Sequence, residues 1–337
     1  MDKFLHEQRD NVERFNGGSR ALFNISTVWN IEAGKSVVEA MEEINSLGFD
    51  ALELSWINEE KYELVKKTNF KAGSVHSYLP EPMKLKEGRW RNSVFNLTAL
   101  DEDERLDAIK WTKRTIDTAV DISAAAVVVH LGNPEGMENR SYYLKDLYSA
   151  GKKNSEEFIK AKDKLLFERD LKKGKTFEKG LKSLSEINAY AKKAGIKIGL
   201  ETRLHYEEHP NQEEFAHIFK EFNGGALYYW HDLGHAEIQG RLGFIDPKEY
   251  LSLFSSRLIG LHIHDIKIME DHKAPGLGDM DYKEFLPYFA DKNILKVFEV
   301  HSSNTKEQVL NGKNILTGLI SEYMAGDPPK SDRGFSK

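Results

Sequence analysis

Between Gly260 and Asp279 the chain reads GLHIHDIKIMEDHKAPGLGD, which sets His262, His264 and His272 among Asp265, Glu270 and Asp271 directly after an apolar run. Imidazoles and carboxylates bind divalent transition ions and move protons near neutral pH. The same residue types close other apolar runs: His76, His130, Glu201, Asp232 with His235 three residues on, and Glu299. If these runs are strands, six consecutive ones end in a carboxylate or an imidazole. Carboxylates aimed at one another in a partly buried mouth repel and lose hydration, so they need protons or a cation. Mixed oxygen and nitrogen ligands suit manganese, zinc, cobalt or iron(II) better than calcium, which prefers oxygen alone. A divalent metal ion is therefore the expected cofactor.

The elements that must position these groups are legible as alternation. The strand candidates are LFNISTVW from Leu22, ALELSW from Ala51, KAGSVH from Lys71, AAVVVHLG from Ala125, KIGLET from Lys197, ALYYWHD from Ala226, LIGLHIHD from Leu258 and KVFEV from Lys296. Amphipathic stretches lie between them. DEDERLDAIKWTKRTIDTAVDI begins with acidic residues, which suits the positive end of a helix dipole, and FEKGLKSLSEINAYAKKAG ends in lysines and Gly195, a helix stop. This pattern predicts α/β class and a single (β/α)8 TIM barrel spanning residues 1–337, with its chemistry at the C-terminal strand ends. A doubly wound sheet would show a glycine-rich phosphate loop after the first strand; NIEAGKSV is not one. Residues 133–175 form a long insertion after strand four, where loops usually run to about 2–6 residues. Residues 155–173 within it look helical, with Gly174 as the stop. From Lys145 to Lys175 there are ten basic and six acidic residues. The insertion reads as a solvated surface helix or as a lid or dimer arm beside the site. From about residue 325 the tail reads as loose.

Composition excludes several classes. There are no cysteines among the 337 residues, which removes disulfides and thiolate metal sites. No apolar run reaches the roughly 18–20 residues needed to span a bilayer, and the polar N-terminus lacks the apolar core of a secretory signal, so the cytoplasm is the expected compartment. A net charge of −6 is not that of a default nucleic-acid binder.

The ordered motifs GLETR, WHDLGH, LHIHDIK, HKAPGLGDMDY and VFEVH, set within residues 20–320, resemble the xylose-isomerase-like TIM-barrel superfamily. That superfamily contains sugar and sugar-phosphate isomerases and epimerases, inosose and dehydroshikimate dehydratases, and an apurinic-site endonuclease branch. The insertion is not part of the common pattern. In the isomerases and epimerases four ligands hold one manganese-type ion, and the resemblance carries these to Glu201, Asp232, His262 and Glu299. In the endonuclease branch nine ligands hold three zinc ions, and the additional positions match His76, His130, His235, Glu270 and His272. Glu270 departs from the usual aspartate by one methylene. The resemblance thus implies one ion and up to three.

The function expected is a metal-dependent sugar, sugar-phosphate or polyol isomerase or epimerase. Glu201 and Glu299 would transfer the proton beside a metal-polarised carbonyl. The alternatives are a dehydratase on the same scaffold and a zinc-dependent apurinic-site endonuclease. The endonuclease would want a basic rim such as Tyr78, Arg89, Trp90, Arg91 and the lysine-rich insertion offer. A small carbohydrate is the expected partner, and analogy with other barrels points to a homodimer. Arg203 and Lys267 are candidates for substrate oxygens, although Lys267 equally suits a solvated position. Trp56 and Tyr78, with Trp29 and Trp90, suit apolar walls against sugar C–H faces or ordinary core packing. His264 shares a face with His262 if the strand stays regular, and Asp265 reads as a supporting partner for a ligand histidine. His205, His209, His217 and His231 read as ordinary surface or helix residues.

Overall fold

The computed structural model describes residues 22–31, 35–82, 95–137 and 140–326. The first seven strands are β1 (Asn24–Ser26), β2 (Ala51–Leu54), β3 (Ala72–His76), β4 (Ala126–Val129), β5 (Lys197–Glu201), β6 (Leu227–Asp232) and β7 (Leu258–Ile263). An antiparallel hairpin of β8 (Asp265–Lys267) and β9 (Glu270–Lys273) follows, and then β10 (Leu295–Phe298). All strands but the hairpin close into one parallel barrel in the order β1-β10-β7-β6-β5-β4-β3-β2. Helices occupy the connections, so the expected (β/α)8 architecture is the observed one.

The barrel strands are buried on both faces, as a sheet covered by helices requires. The two faces nevertheless do different things. Leu52, Leu54, Val75, Val127, Val129, Ile198, Leu200, Tyr229, Leu261, Ile263 and Phe298 belong to the layer packed against the helices. The alternate residues point inward, because strand side chains alternate with period two. Low in the barrel these are Ala126, Val128 and Val297, packed around Trp230. A methyl group at Gly260 would lie 2.1 Å from the Trp230 ring and one at Gly199 2.8 Å from it. The two glycines thus make the space in which the indole closes the barrel floor. One inward step further up, the same strands present Glu53, His76, Glu201, Asp232 and His262, all 1% exposed or less.

The helices carry local start signals. Ser36 with Glu39, and Thr305 with Gln308, form capping boxes for helices Val37–Ser46 and Lys306–Met324. The insertion departs from expectation at one point. Gly174 does not stop a helix; a single helix runs through it from Glu156 to Ala194 and ends at Gly195, whose φ is 74°. A methyl group at Gly174 would meet nothing within 4 Å, so the glycine faces open space. Its propensity cost of about 1 kcal/mol is outweighed by a continuous buried stripe through Leu165, Arg169, Thr176, Gly180 and Leu184. With helix Arg140–Ser149, this helix sets Leu144, Leu147, Phe158 and Leu165 against Ile238, Leu242, Ile266 and Met269. The insertion is thereby docked on the elements that follow β6 and β7. Among the described residues no helix is long and apolar enough to cross a membrane.

Candidate metal centre

Glu201, Asp232, His262 and Glu299 converge: one ligand atom from each lies within 4.8 Å of all the others. His262 is at the centre. Its Nδ1 lies 3.0 Å from Glu299 Oε2, 3.3 Å from Glu201 Oε1 and 3.7 Å from Asp232 Oδ2. Strand register explains the convergence, since Asp232 is paired with His262 across β6 and β7, and His262 with Val297 across β7 and β10.

The other side of the ring meets a residue that the sequence reading did not single out. Glu53, fully buried on β2, receives His262 Nε2 at 3.1 and 3.3 Å through its two oxygens. The hydroxyl of Ser74 donates to Glu53 Oε2 at 2.8 Å. A carboxylate bonded there keeps a proton on Nε2, so Nδ1 is the nitrogen turned toward the three acidic groups and the one that can exchange its proton for a metal ion. Glu53 was detectable as the lone charge between Leu52 and Leu54, pointing opposite to both.

Burial and charge pull against each other here. Burial opposes charging of His262, but Glu299, Glu53 and Glu201 hold its pKa well above the usual imidazole value. Burial likewise pushes Glu201 up, yet His130 and His262 hold it well below the ordinary carboxylate range. Glu299 is held low by His262, and Asp232 is lowered by His235 and His264, both against the effect of burial. Asp232 Oδ2 is buried with no hydrogen-bond partner. Three ionised carboxylates, an oriented imidazole and an orphaned buried oxygen fit the O and N donor set of a divalent transition ion.

His76 and His130 stand beside this quartet, as expected. Their Nε2 atoms lie 3.3 and 2.7 Å from Glu201 Oε2. Arg203 joins them: its NH1 donates to His130 Nε2 at 2.6 Å and lies 3.4 Å from Glu201 Oε2. Burial and then the Arg203 charge lower the His130 pKa to about 4. His235 lies 3.3 Å from Asp232 Oδ2 through Nδ1 and bonds the carbonyl of Thr202. His264 shares the inward face of His262, and its Nε2 bonds Asp232 Oδ1 at 2.9 Å. His272 Nε2 lies 3.8 Å from Glu299 Oε2. Burial opposes charging of His272, but Asp271 raises its pKa to about 10.

Several expectations need correction. Glu270 does not enter the site. Its side chain is 74% exposed and pairs with Lys273 at 2.9 Å. A regular strand would point Glu270 and His272 the same way, but His272 has a left-handed φ of 54°, which breaks the alternation. The acid of β9 that pairs with His272 is the half-buried Asp271, 3.3 Å from His272 Nδ1. Asp265 does not support a ligand histidine; it accepts from the backbone N–H groups of Ile266, Gly276 and Met280 and pins the following loop. The supporting carboxylate is Glu53. Lys267 is exposed opposite Glu270 on the hairpin. His231 and His209 are fully buried, not surface residues; His231 hydrogen-bonds the Tyr229 hydroxyl. His205 is half-buried, and His217 is exposed on a helix and paired with Glu221.

The aromatic candidates divide. Tyr78 is 4% exposed and donates its hydroxyl to Phe95 O. Trp29 is buried and bonds Asn304 O, so both are packing residues. Trp56 is half-buried with a φ of 58° and lies 6.0 Å from His301. His301 stacks on His272 at 3.9 Å, and His272 on His264 at 4.3 Å. These rings form a wall leading to the quartet. His301 follows Glu299 by two residues, the one sequence signal that could have found it. Arg89, Trp90 and Arg91 lie outside the described residues.

No curated protein matches the chain in sequence. Solved structures do share its fold. A D-tagatose 3-epimerase-like protein is 20% identical with a TM-score of 0.62, covering 90% of this chain and 99% of that one. An L-ribulose 3-epimerase is 12% identical with a TM-score of 0.64, covering 94% and 100%. An IOLI protein with a binding zinc atom is 15% identical with a TM-score of 0.60, covering 90% and 99%. The model of one family matches residues 41–317, from the first described helix to the last, and the chain belongs to that family, the xylose isomerase-like TIM barrels.

Proposed function

We propose that the chain is a divalent-metal-dependent isomerase or epimerase of a sugar, sugar phosphate or related polyol. The observation that carries this reading is the convergence of Glu201, Asp232 and Glu299 on the Nδ1 side of a His262 ring whose other nitrogen is held by Glu53. Those four convergent residues would hold the ion, and a bound divalent ion supplies Lewis-acid polarisation of a carbonyl or alkoxide. The chain's own residues do the rest. Glu201 and Glu299 are kept ionised by their histidine neighbours, so each can accept a proton. One takes the proton from the carbon beside the carbonyl and is left protonated. For epimerisation the other, first protonated from solvent, delivers its own proton to the opposite face of that carbon. For isomerisation the first returns its proton to the neighbouring carbon while a hydroxyl proton passes between the two oxygens. The Trp56 and His301 rings, 6.0 Å apart, offer flat aromatic faces suited to the C–H face of a sugar ring.

The folds of an L-ribulose 3-epimerase and a D-tagatose 3-epimerase-like protein support this class. A dehydratase would use the same base and lose water instead of regaining a proton. The three-zinc endonuclease reading is weakened by Glu270, one of the ligands it needs, which points to solvent.

A panel of ketoses, aldoses and their phosphates, incubated in D2O with and without added manganese, tests the proposal. Metal-dependent interconversion with deuterium at the carbon beside the carbonyl is expected. Zinc-dependent cleavage of abasic duplex DNA, without turnover of any sugar, would overturn it.

A further inference from the structure

Among the described residues, two groups of side chains besides the quartet have metal-ligand geometry: His76 with His130 and Glu201, and His235 with His264 and His272. Neither has the same availability as the quartet.

The first trio already contains a cation. Arginine has donors only, so the 2.6 Å contact from Arg203 NH1 makes His130 Nε2 the acceptor and commits its lone pair. His130 Nε2 and Glu201 Oε2 are 2.7 Å apart, and the guanidinium lies beside the pair, its NH1 3.4 Å from that oxygen, where its positive charge offsets the crowding of the two acceptors. The guanidinium is also fixed from behind. Its Nε donates to Glu208 Oε1 at 3.2 Å, and its NH2 lies 3.1 Å from the same oxygen. Glu208 Oε2 is in turn held by the backbone N–H of His205 at 3.2 Å. The Arg203 carbonyl accepts from the Gln239 amide, and the residue is 9% exposed. An ion at this trio would need the same lone pair at about 2.0–2.2 Å, where the anchored NH1 group stands.

The second trio is occupied by hydrogen bonds. His264 Nδ1 accepts from the backbone N–H of His272 at 2.9 Å, so its Nε2 carries the proton donated to Asp232. Both of its ring nitrogens are in use, and it has no lone pair to give.

We propose that Arg203 is a built-in cation that takes the place of a second metal ion beside His76, His130 and Glu201, so that the chain holds a single ion at the quartet. The inference rests on the metal-centre reading above. It makes Arg203 a determinant of metal number, a role beyond that of a substrate contact.

The test is a metal count on full-length protein loaded with Mn(II), freed of excess ion, and read by elemental analysis and electron paramagnetic resonance. Wild type should carry one ion with an uncoupled spectrum. Arg203→Gln should carry two, with the spin coupling of ions bridged by Glu201, whereas Arg203→Lys, which keeps the charge, should stay at one. His130→Ala should leave the wild-type count at one. A folded Arg203→Gln protein with one ion overturns the inference. So does a wild-type count of two, or a His130→Ala count below that of wild type; these last two results need no Arg203 variant to fold. A wild-type count of zero is distinct from these, because it removes the metal centre itself and the inference with it.

Discussion

Glu53→Gln separates the charge of the group behind His262 from its shape. The amide oxygen can still accept from His262 Nε2, which now lies 3.1 and 3.3 Å from the two carboxylate oxygens. The amide nitrogen can face the Ser74 hydroxyl, which accepts as well as donates. Only the negative charge is lost. Removing such a partner of a ligating imidazole weakens metal binding by about 10–100-fold, which is about 1.4–2.7 kcal/mol. Because the ion binds the folded chain, the same amount should disappear from the metal-dependent increment in stability. Glu53→Ala should show the same affinity loss and an additional cost of about 1–3 kcal/mol without metal, because it leaves a buried N–H unpaired. Chelator-competition titration reads the affinity, and denaturant unfolding with and without metal reads the increment. If folded Glu53→Gln binds metal as tightly as wild type, the proposed orientation of His262 by Glu53 is wrong.

Glu201→Gln and Glu299→Gln should each lower turnover by about 10²–10⁴-fold, since an amide cannot take up the proton; recovery of either variant in excess metal would reduce its role to that of a ligand. Gly260→Ala places a methyl group 2.1 Å from Trp230, whose ring packs edge-on against His262 at 5.1 Å, so it should cost about 1–3 kcal/mol of stability and disturb metal binding through His262, and a variant matching wild type in both would refute the placing of Trp230 as the barrel floor. Glu214, which is not one of the quartet, is buried against Arg169 at 2.8 Å and His209 at 3.0 Å. Burial pushes its pKa up, but His209 and Arg169 outweigh that and lower it to about 2. A depressed carboxylate contributes stability above its unfolded pKa of about 4.3, and the contribution is lost as pH falls through about 2. Glu214→Gln should therefore cost about 3 kcal/mol at pH 7, with the gap narrowing in unfolding experiments run at successively lower pH below about 4; a constant gap would contradict the assignment.

The barrel was legible because its signal is periodic. Eight apolar runs bounded by helical patterns leave few topologies, and the inward face of each strand is fixed by parity. The strand ends were legible in the same way, and the family resemblance picked the quartet from among them; Glu201, Asp232 and His262 do sit at the tops of adjoining strands. Parity failed where the backbone leaves the strand conformation. On the hairpin the left-handed residue His272 turns Glu270 out and leaves the half-buried Asp271 as its acidic partner, and spacing alone cannot foresee a positive φ. Gly174 was misread for a related reason: a glycine stops a helix only where the chain must change direction, and packing of Leu165, Arg169 and Thr176 carries the helix past it. His209 and His231 were taken for surface residues because a lone histidine carries no pattern; their burial depends on Glu214 and Tyr229, which tertiary structure brings to them.

Glu53 was missed for the opposite reason. It obeys the strand period, but a single acid on an early strand gives no hint of a partner 209 residues away. Its importance appears once charges are counted at the mouth. Glu53, Glu201, Asp232 and Glu299 are each 6% exposed or less. Arg203 supplies one fixed positive charge beside Glu201, and it is shared with Glu208. The histidines offset the remainder only by holding protons, as the raised pKa values of His262, His235 and His272 indicate. Replacing four such groups by apolar side chains would stabilise a core of this kind more simply. A sequence that keeps them, with Ser74, His264 and Arg203 hydrogen-bonded around them, has the arrangement that the proposed metal centre requires.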